Sequence, residues 1–264
     1  MSGRRPHYTQ LLALELARAE DAVTGTAPVR PESFAPGTSC IRPSVLLAMV
    51  DLVAGHTPDG PGKPAVGATL DLRAILLAPP PTTGQVHLRC RPLRVGRRFV
   101  SAETELFADG AEAPFARAWS TFAALEIGMG IPAGRPPVLP VGADSLDAFL
   151  GARVQDDSTL VLDPAPWLAN GPVGTVHGGA QALLAELAAE HAMNGRAGGP
   201  APADRLVATD MEVRYLDRLR VGPLTASARP VSSTDGRPVA VVTLRDGGND
   251  DRLVAQATLA FGKL

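Results

Sequence analysis

The sequence predicts an α+β fold built from two tandem repeats, each a long apolar helix followed by an antiparallel meander. Three observations carry this. The chain repeats itself: residues 49–56 align with residues 184–191 at a constant offset of 135, placing Asp51 on Glu186 and His56 on His191. Ala180, Leu183, Leu184, Leu187, Ala188 and His191 recur at helical spacing and form one apolar face. A loop and strand-like alternation follow each helix, which implies two sheets, each wrapping its own helix.

The 264 residues fit one large domain or two of about 130, either able to bury a core. A hydrophobic content of 45% with 20% charge describes a globular protein, and no apolar run reaches bilayer length. Lys plus Arg number 25 against 27 Asp plus Glu, which leaves no domain-wide basic surface for nucleic acid. Cys40 and Cys90 are too few for a disulfide framework or a cysteine-based zinc site, so a reducing, cytoplasmic setting is expected.

In chain order, residues 1–22 read as an amphipathic surface helix, because Glu15, Arg18, Glu20 and Asp21 interrupt its leucines. The first repeat spans 23–127. After its helix, strands are expected at 66–77, 85–92, 98–107 and 115–125, with a turn at Asp109-Gly110. Gly and Pro gather in a linker at 128–145 and again in a loop at 195–202. The second repeat, 146–264, carries its helix and strands at 207–216, 224–230, 238–245 and 253–262, with a turn at Asp235-Gly236.

The most specific string is Gly174-Thr175-Val176-His177-Gly178-Gly179, which runs straight into the second helix. Two glycines at a helix start leave backbone N–H groups open where the helix dipole favours negative charge, an oxyanion hole in outline. The same glycines also suit a tight loop packed on a sheet.

His-Gly-Gly opening an apolar helix, with Glu186 nine residues after His177, resembles the hotdog-fold acyl-CoA thioesterases, notably the phenylacetate-pathway (PaaI-like) type. The resemblance covers nearly the whole chain and implies a fused double hotdog, each long helix held in a curved antiparallel sheet. It also implies hydrolysis of an acyl-CoA between the repeats, with no metal or redox cofactor and coenzyme A present only as part of the substrate. Gly178 and Glu186 lie about 12 Å apart along one helix, so one carbonyl cannot touch both. The acid serving Gly178 is then expected from the partner repeat, and the alignment makes it Asp51, a carboxylate among Leu47, Met49, Val50, Leu52 and Val53. Thr69, in Thr-Leu-Asp-Leu, resembles the family's water-orienting hydroxyl.

In this reading Gly178 N–H receives the thioester oxygen and Asp51 acts as general base or as nucleophile. His177 holds the loop and Gly179 adjoins the substrate. Asn170 either holds the thioester or the water or is a turn residue. The mirror site pairs Glu186 with Arg42-Pro43-Ser44, where Pro43 offers no N–H, so one working site per chain is expected. His56 and His191 lie roughly 140° around the helix from their acids and read as core or loop histidines. That spacing also opposes a hydratase, which would need Asp51 and His56 together. A hotdog protein that binds acyl-CoA or an acyl carrier without turnover is the second alternative. Arg97 and Arg98 are candidates for the CoA phosphates, and a homodimer is expected.

Overall fold

The computed structural model describes residues 6–57, 65–125, 145–170, 175–195, 205–231 and 237–263. Gly174, the 128–145 linker apart from residue 145, most of the 195–202 loop and the Asp235-Gly236 turn lie outside them. The chain opens with α1 (Tyr8–Leu11), β1 (Glu15–Arg18) and β2 (Val23–Pro28), then α2 (Pro43–Ala54) and the strands β3 (Ala65–Leu76), β4 (Gln85–Val95), β5 (Phe99–Ala108) and β6 (Ala116–Leu125). The second half runs through α3 (Leu146–Leu150), β7 (Arg153–Val154), β8 (Thr159–Leu162), β9 (Ala169–Asn170) and β10 (Thr175–Val176). It continues with α4 (Gly178–Asn194), β11 (Val207–Tyr215), β12 (Leu224–Val231), β13 (Val239–Asp246) and β14 (Arg252–Gly262).

Two expectations are corrected. The repeats do not make separate sheets: twelve strands join in one, in the order β1-β2-β4-β5-β6-β3-β11-β14-β13-β12-β8-β7. The seam is β3 against β11, antiparallel, with Leu72 opposite Val213. Pairing there removes an edge from each half. Residues 1–22 are not one surface helix either. Helix is confined to α1, Ala13 takes a positive φ of 47°, and β1 pairs with β2, which extends the sheet from β4. Leu12 and Leu14 are buried, and Tyr8 is completely so. A surface helix has no place for these side chains.

The strands alternate as their sequences require. Val86, Leu88 and Cys90 of β4, Val100, Ala102 and Leu106 of β5, and Ala240, Val242 and Leu244 of β13 turn inward. Asp109-Gly110 forms the expected turn, with Gly110 at φ 67°. Helix α2 starts on Pro43, whose fixed φ suits the first helical position. It is buried on almost every side, with Val45, Leu46, Leu47, Ala48 and Val50 at 0% exposure, because sheet covers one face and α4 the other. No helix among the described residues is long and apolar enough to cross a membrane.

The two helices cross where there is no room for a side chain. A Cβ on Gly179 would sit 2.6 Å from Ala48 Cβ and 3.1 Å from the Tyr8 ring. Gly179→Ala is therefore expected to overpack this crossing and destabilise the fold by about 1–3 kcal/mol. Denaturant unfolding checks this, and Ala48→Gly in the same chain should recover most of the loss.

Candidate active site

The N-terminus of α4 is held from four directions. His177 caps the helix, its Nδ1 accepting the Gly179 N–H at 3.0 Å, while its own carbonyl accepts the Gln181 N–H at 3.0 Å. Tyr215 Oη donates to the Gly178 carbonyl at 2.8 Å, and Tyr8 Oη to the Gly179 carbonyl at 3.2 Å. The chain contains two tyrosines, and both serve this motif. Gly178 N–H has no hydrogen-bond partner among the described residues. With Nδ1 accepting, neutral His177 carries its proton on Nε2. Burial, its largest influence, holds the imidazole below its ordinary pKa against the opposing pull of Asp51.

Asp51 comes from α2, three residues beyond Ala48 at the crossing. Thr69 Oγ1 donates to Asp51 Oδ1 at 2.7 Å. The ladder between β3 and β6 slips on both sides of Thr69, a bulge that re-aims the side chain. Burial raises the Asp51 carboxyl above its ordinary range, while His177 and the Thr69 hydroxyl oppose the shift. Burial and the Asp51 charge likewise raise the Tyr215 phenol.

A cavity of about 290 Å³ opens between the repeats, lined by Thr69, Asn170, Gly178, Gln181 and Tyr215 among others. The fold thus brings Thr69 and Asn170 to the wall that carries Gly178. Gly179 supplies close packing there, because its N–H is committed to His177. Arg97 and Arg98 sit exposed between β4 and β5 and line none of the described cavities, whereas Arg218 lines this one. Residue spacing did not reveal Tyr8, Tyr215 or Gln181. Gln181 is 4% exposed and donates from Nε2 to the Val176 carbonyl at 2.8 Å, leaving buried Oε1 without a partner among the described residues.

The mirror position is closed. Pro43 has no N–H, Ser44 N–H donates to Glu186 Oε2 at 2.8 Å, and Val45 and Leu46 donate to the Arg42 carbonyl. Arg42 takes the place equivalent to His177 and is fully buried. Its guanidinium lies 2.7 Å from Glu190, 2.9 Å from Asp147 and 4.0 Å from Glu186. Neither Asp51 nor Glu186 pairs with a histidine at helical spacing: His56 lies beyond the end of α2 and His191 in the last turn of α4.

Residues 173–253, which include α4 and β11 to β13, match the family model described as Thioesterase superfamily. No curated protein matches the sequence. Among solved structures, the tesB protein of Mycobacterium avium subsp. paratuberculosis superposes with a TM-score of 0.66 at 17% identity, covering 97% of this chain and 98% of that one. The acyl-CoA thioesterase II TesB2 of Mycobacterium marinum gives 0.62 at 15%, covering 97% and 98%. The 12:0-ACP thioesterase of Umbellularia californica gives 0.59 at 12%, covering 92% and 94%. The chain folds as a double hotdog.

The two halves of this double hotdog differ in what they do with their acids. Burial pushes the Glu186 carboxyl up to about 7, against the pull of Arg42. A carboxyl whose folded pKa is raised holds its proton longer in the folded state, so its contribution to stability declines as pH rises from about 4.5 towards about 7. Glu186→Gln, which cannot ionise, should lose less stability than the parent between pH 5 and pH 8 in denaturant titrations at each pH.

Proposed function

We propose that the chain is an acyl-CoA thioesterase with one active site, formed by Asp51 and Thr69 of the first repeat and His177 and Gly178 of the second. The observation that carries this reading is the shared cavity: Thr69, bonded to the Asp51 carboxylate, and Gly178, with an unpartnered amide, line the same space. The family match over residues 173–253 supports it. The narrower likeness to the phenylacetate-pathway type belongs to this proposal and rests on His177-Gly178-Gly179. A cytoplasmic setting, from the sparse cysteines, and a homodimer, from exposed sheet edges, are proposed with it.

The thioester carbonyl accepts the Gly178 N–H, aligned with the positive end of the α4 dipole, so charge arriving on oxygen in the transition state is met by a donor already in place. Asp51 takes a proton from water as the water oxygen bonds to the acyl carbon. Collapse of the intermediate breaks the C–S bond, and the departing CoA thiolate takes that proton back. Thr69 has its own proton on Asp51 and so meets the water as an acceptor. His177, neutral and fixed by Gly179, orients the loop and is not the base. Direct attack by Asp51, giving an anhydride, uses the same groups.

Asp51→Asn should lower kcat/KM for CoA release by about 10²–10⁴-fold while leaving the circular dichroism spectrum unchanged. Since reaction needs the ionised form and burial raises this carboxyl above 3.8, kcat/KM should climb with pH along an acid limb displaced above that value. A limb at or below 3.8 removes Asp51 as the base. Gly178→Pro copies the Pro43 arrangement and removes the N–H, and should cost about 10²–10³-fold in kcat, whereas Gly178→Ala, which also sets a Cβ against the Tyr215 ring but keeps the N–H, should cost far less. Thiol release from an acyl-CoA panel measures both. Binding without release in the parent chain favours the non-catalytic alternative.

A further inference from the structure

The pseudo-symmetry leaves a second cavity that the proposed reaction does not use. The candidate active site opens where β3 begins and β11 ends, beneath the approach to α4. At the opposite end of the same seam, where β3 ends and β11 begins, beneath the approach to α2, lies a cavity of about 540 Å³. Its walls come from residues 37–40, from Pro79, Pro80 and Thr82 after β3, and from Arg205, Val207 and Lys263. The corresponding cavity is smaller, at about 290 Å³.

The lining has a definite chemistry. Among the described residues it contains no carboxylate and two cationic side chains, Arg205 and exposed Lys263. Arg205 is fixed by an Nη1 hydrogen bond to the Pro36 carbonyl at 2.8 Å, while its enclosed Nε has no hydrogen-bond partner among the described residues. Arg205 also lines a separate cavity with Asp147, Glu190 and His191, and its charge acts on Glu190. A fixed guanidinium, a second cation and the hydroxyls of Ser39 and Thr82 suit phosphate oxygens. Catalytic groups are not available here: Glu186 is held by Ser44 N–H, Pro43 has no N–H, and buried Arg42 fills the place of His177.

We propose that this cavity is a second, non-hydrolytic site for a phosphate-bearing ligand of the coenzyme A class. The choice of ligand rests on the thioesterase reading above. The cavity lies at the pseudo-equivalent end of the seam to the one where the working half would receive its substrate, while the closed helix start prevents turnover. Free coenzyme A, the product of the proposed reaction, carries the phosphates that these cations would meet.

The probe is coenzyme A, and the readout is amide hydrogen exchange followed by mass spectrometry on the full chain. Coenzyme A should slow exchange in residues 35–41 and 77–84 as well as in 65–71 and 176–182. Lys263→Glu, at an exposed position, should raise the coenzyme A concentration that half-protects the first pair of segments by about three- to tenfold, the loss of an exposed ion pair and its replacement by repulsion. It should leave kcat for thioester hydrolysis unchanged. Arg205→Ala should abolish protection of 77–84 while 65–71 stays protected. Protection confined to 65–71 and 176–182 overturns the second site and leaves the thioesterase reading intact. Protection of 35–41 and 77–84 alone supports the second site and sinks the reading of the first cavity. Protection nowhere overturns both, and an unchanged half-protecting concentration in Lys263→Glu overturns the assigned recognition.

Discussion

The contact between Gly179 and Ala48 sets the geometry of both ends of the molecule. Two helices that touch at a 2.6 Å virtual Cβ separation, one of them bare, lie closer than two side-chain-bearing positions allow. Ala48 is four residues after Ser44 and three before Asp51, so the crossing lies between the start of α2 and its acid. Gly179 stands at the start of α4, seven residues before Glu186. Close approach therefore delivers each helix's acid towards the other helix's N-terminus, where open amides and the dipole favour negative charge. The pairing of acid with opposite helix follows from the crossing and does not need separate devices in each half.

What each half does with its acid depends on one equivalent position. Arg42 is permanently charged, and a guanidinium with no solvent exposure requires carboxylates; it has Glu190, Asp147 and Glu186 around it. Those contacts, with Ser44 N–H on Glu186, use up the groups a reaction would need. His177 is neutral and short, and it spends Nδ1 on Gly179. Among the described residues Asp51 forms no ion pair with a lysine or arginine, and its hydrogen-bond partner is the Thr69 hydroxyl. One half is a closed structural ion cluster. The other keeps a carboxylate of raised proton affinity bonded to Thr69, which shares a cavity with the Gly178 amide.

The sequence made the duplication legible because its strongest signals are local and periodic: the acid and histidine at one offset, the apolar helices and the alternation of β4, β5 and β13. It did not reveal that the sheets fuse. The seam residues Leu72 and Val213 alternate like any strand facing its own helix, and alternation does not say which strand lies alongside. Residues 1–22 misled for a related reason: Leu11, Leu12, Leu14 and Leu16 satisfy a helical stripe loosely, while the positive φ at Ala13 that breaks it has no glycine to announce it. Pro43 signalled a missing donor directly, since its chemistry is fixed by its covalent structure. The burial of Arg42 had no such signal, because it depends on Asp147 and Glu190, which are distant in the chain.

The tyrosines hold the two peptides that follow the open Gly178 amide. An amide at a helix start is useful only if its peptide plane is held, because a donor that must reorient during reaction gives back much of its stabilisation. Here the carbonyls on Gly178 and Gly179 each accept a tyrosine hydroxyl, one from β11 and one from the N-terminal segment, while His177 takes the intervening N–H. The peptide joining Gly178 to Gly179 is thus gripped at both its oxygen and its nitrogen, and the preceding peptide, which carries the Gly178 N–H, is held through its His177 carbonyl by the Gln181 N–H at 3.0 Å. The Tyr215 ring lies along Gly178, with Oη 3.2 Å and Cζ 3.3 Å from where a Cβ would stand, so glycine there lets the ring approach. The two glycines consequently do different work: the second lets the helices meet, and the first lets a tyrosine clamp the backbone beside the open amide.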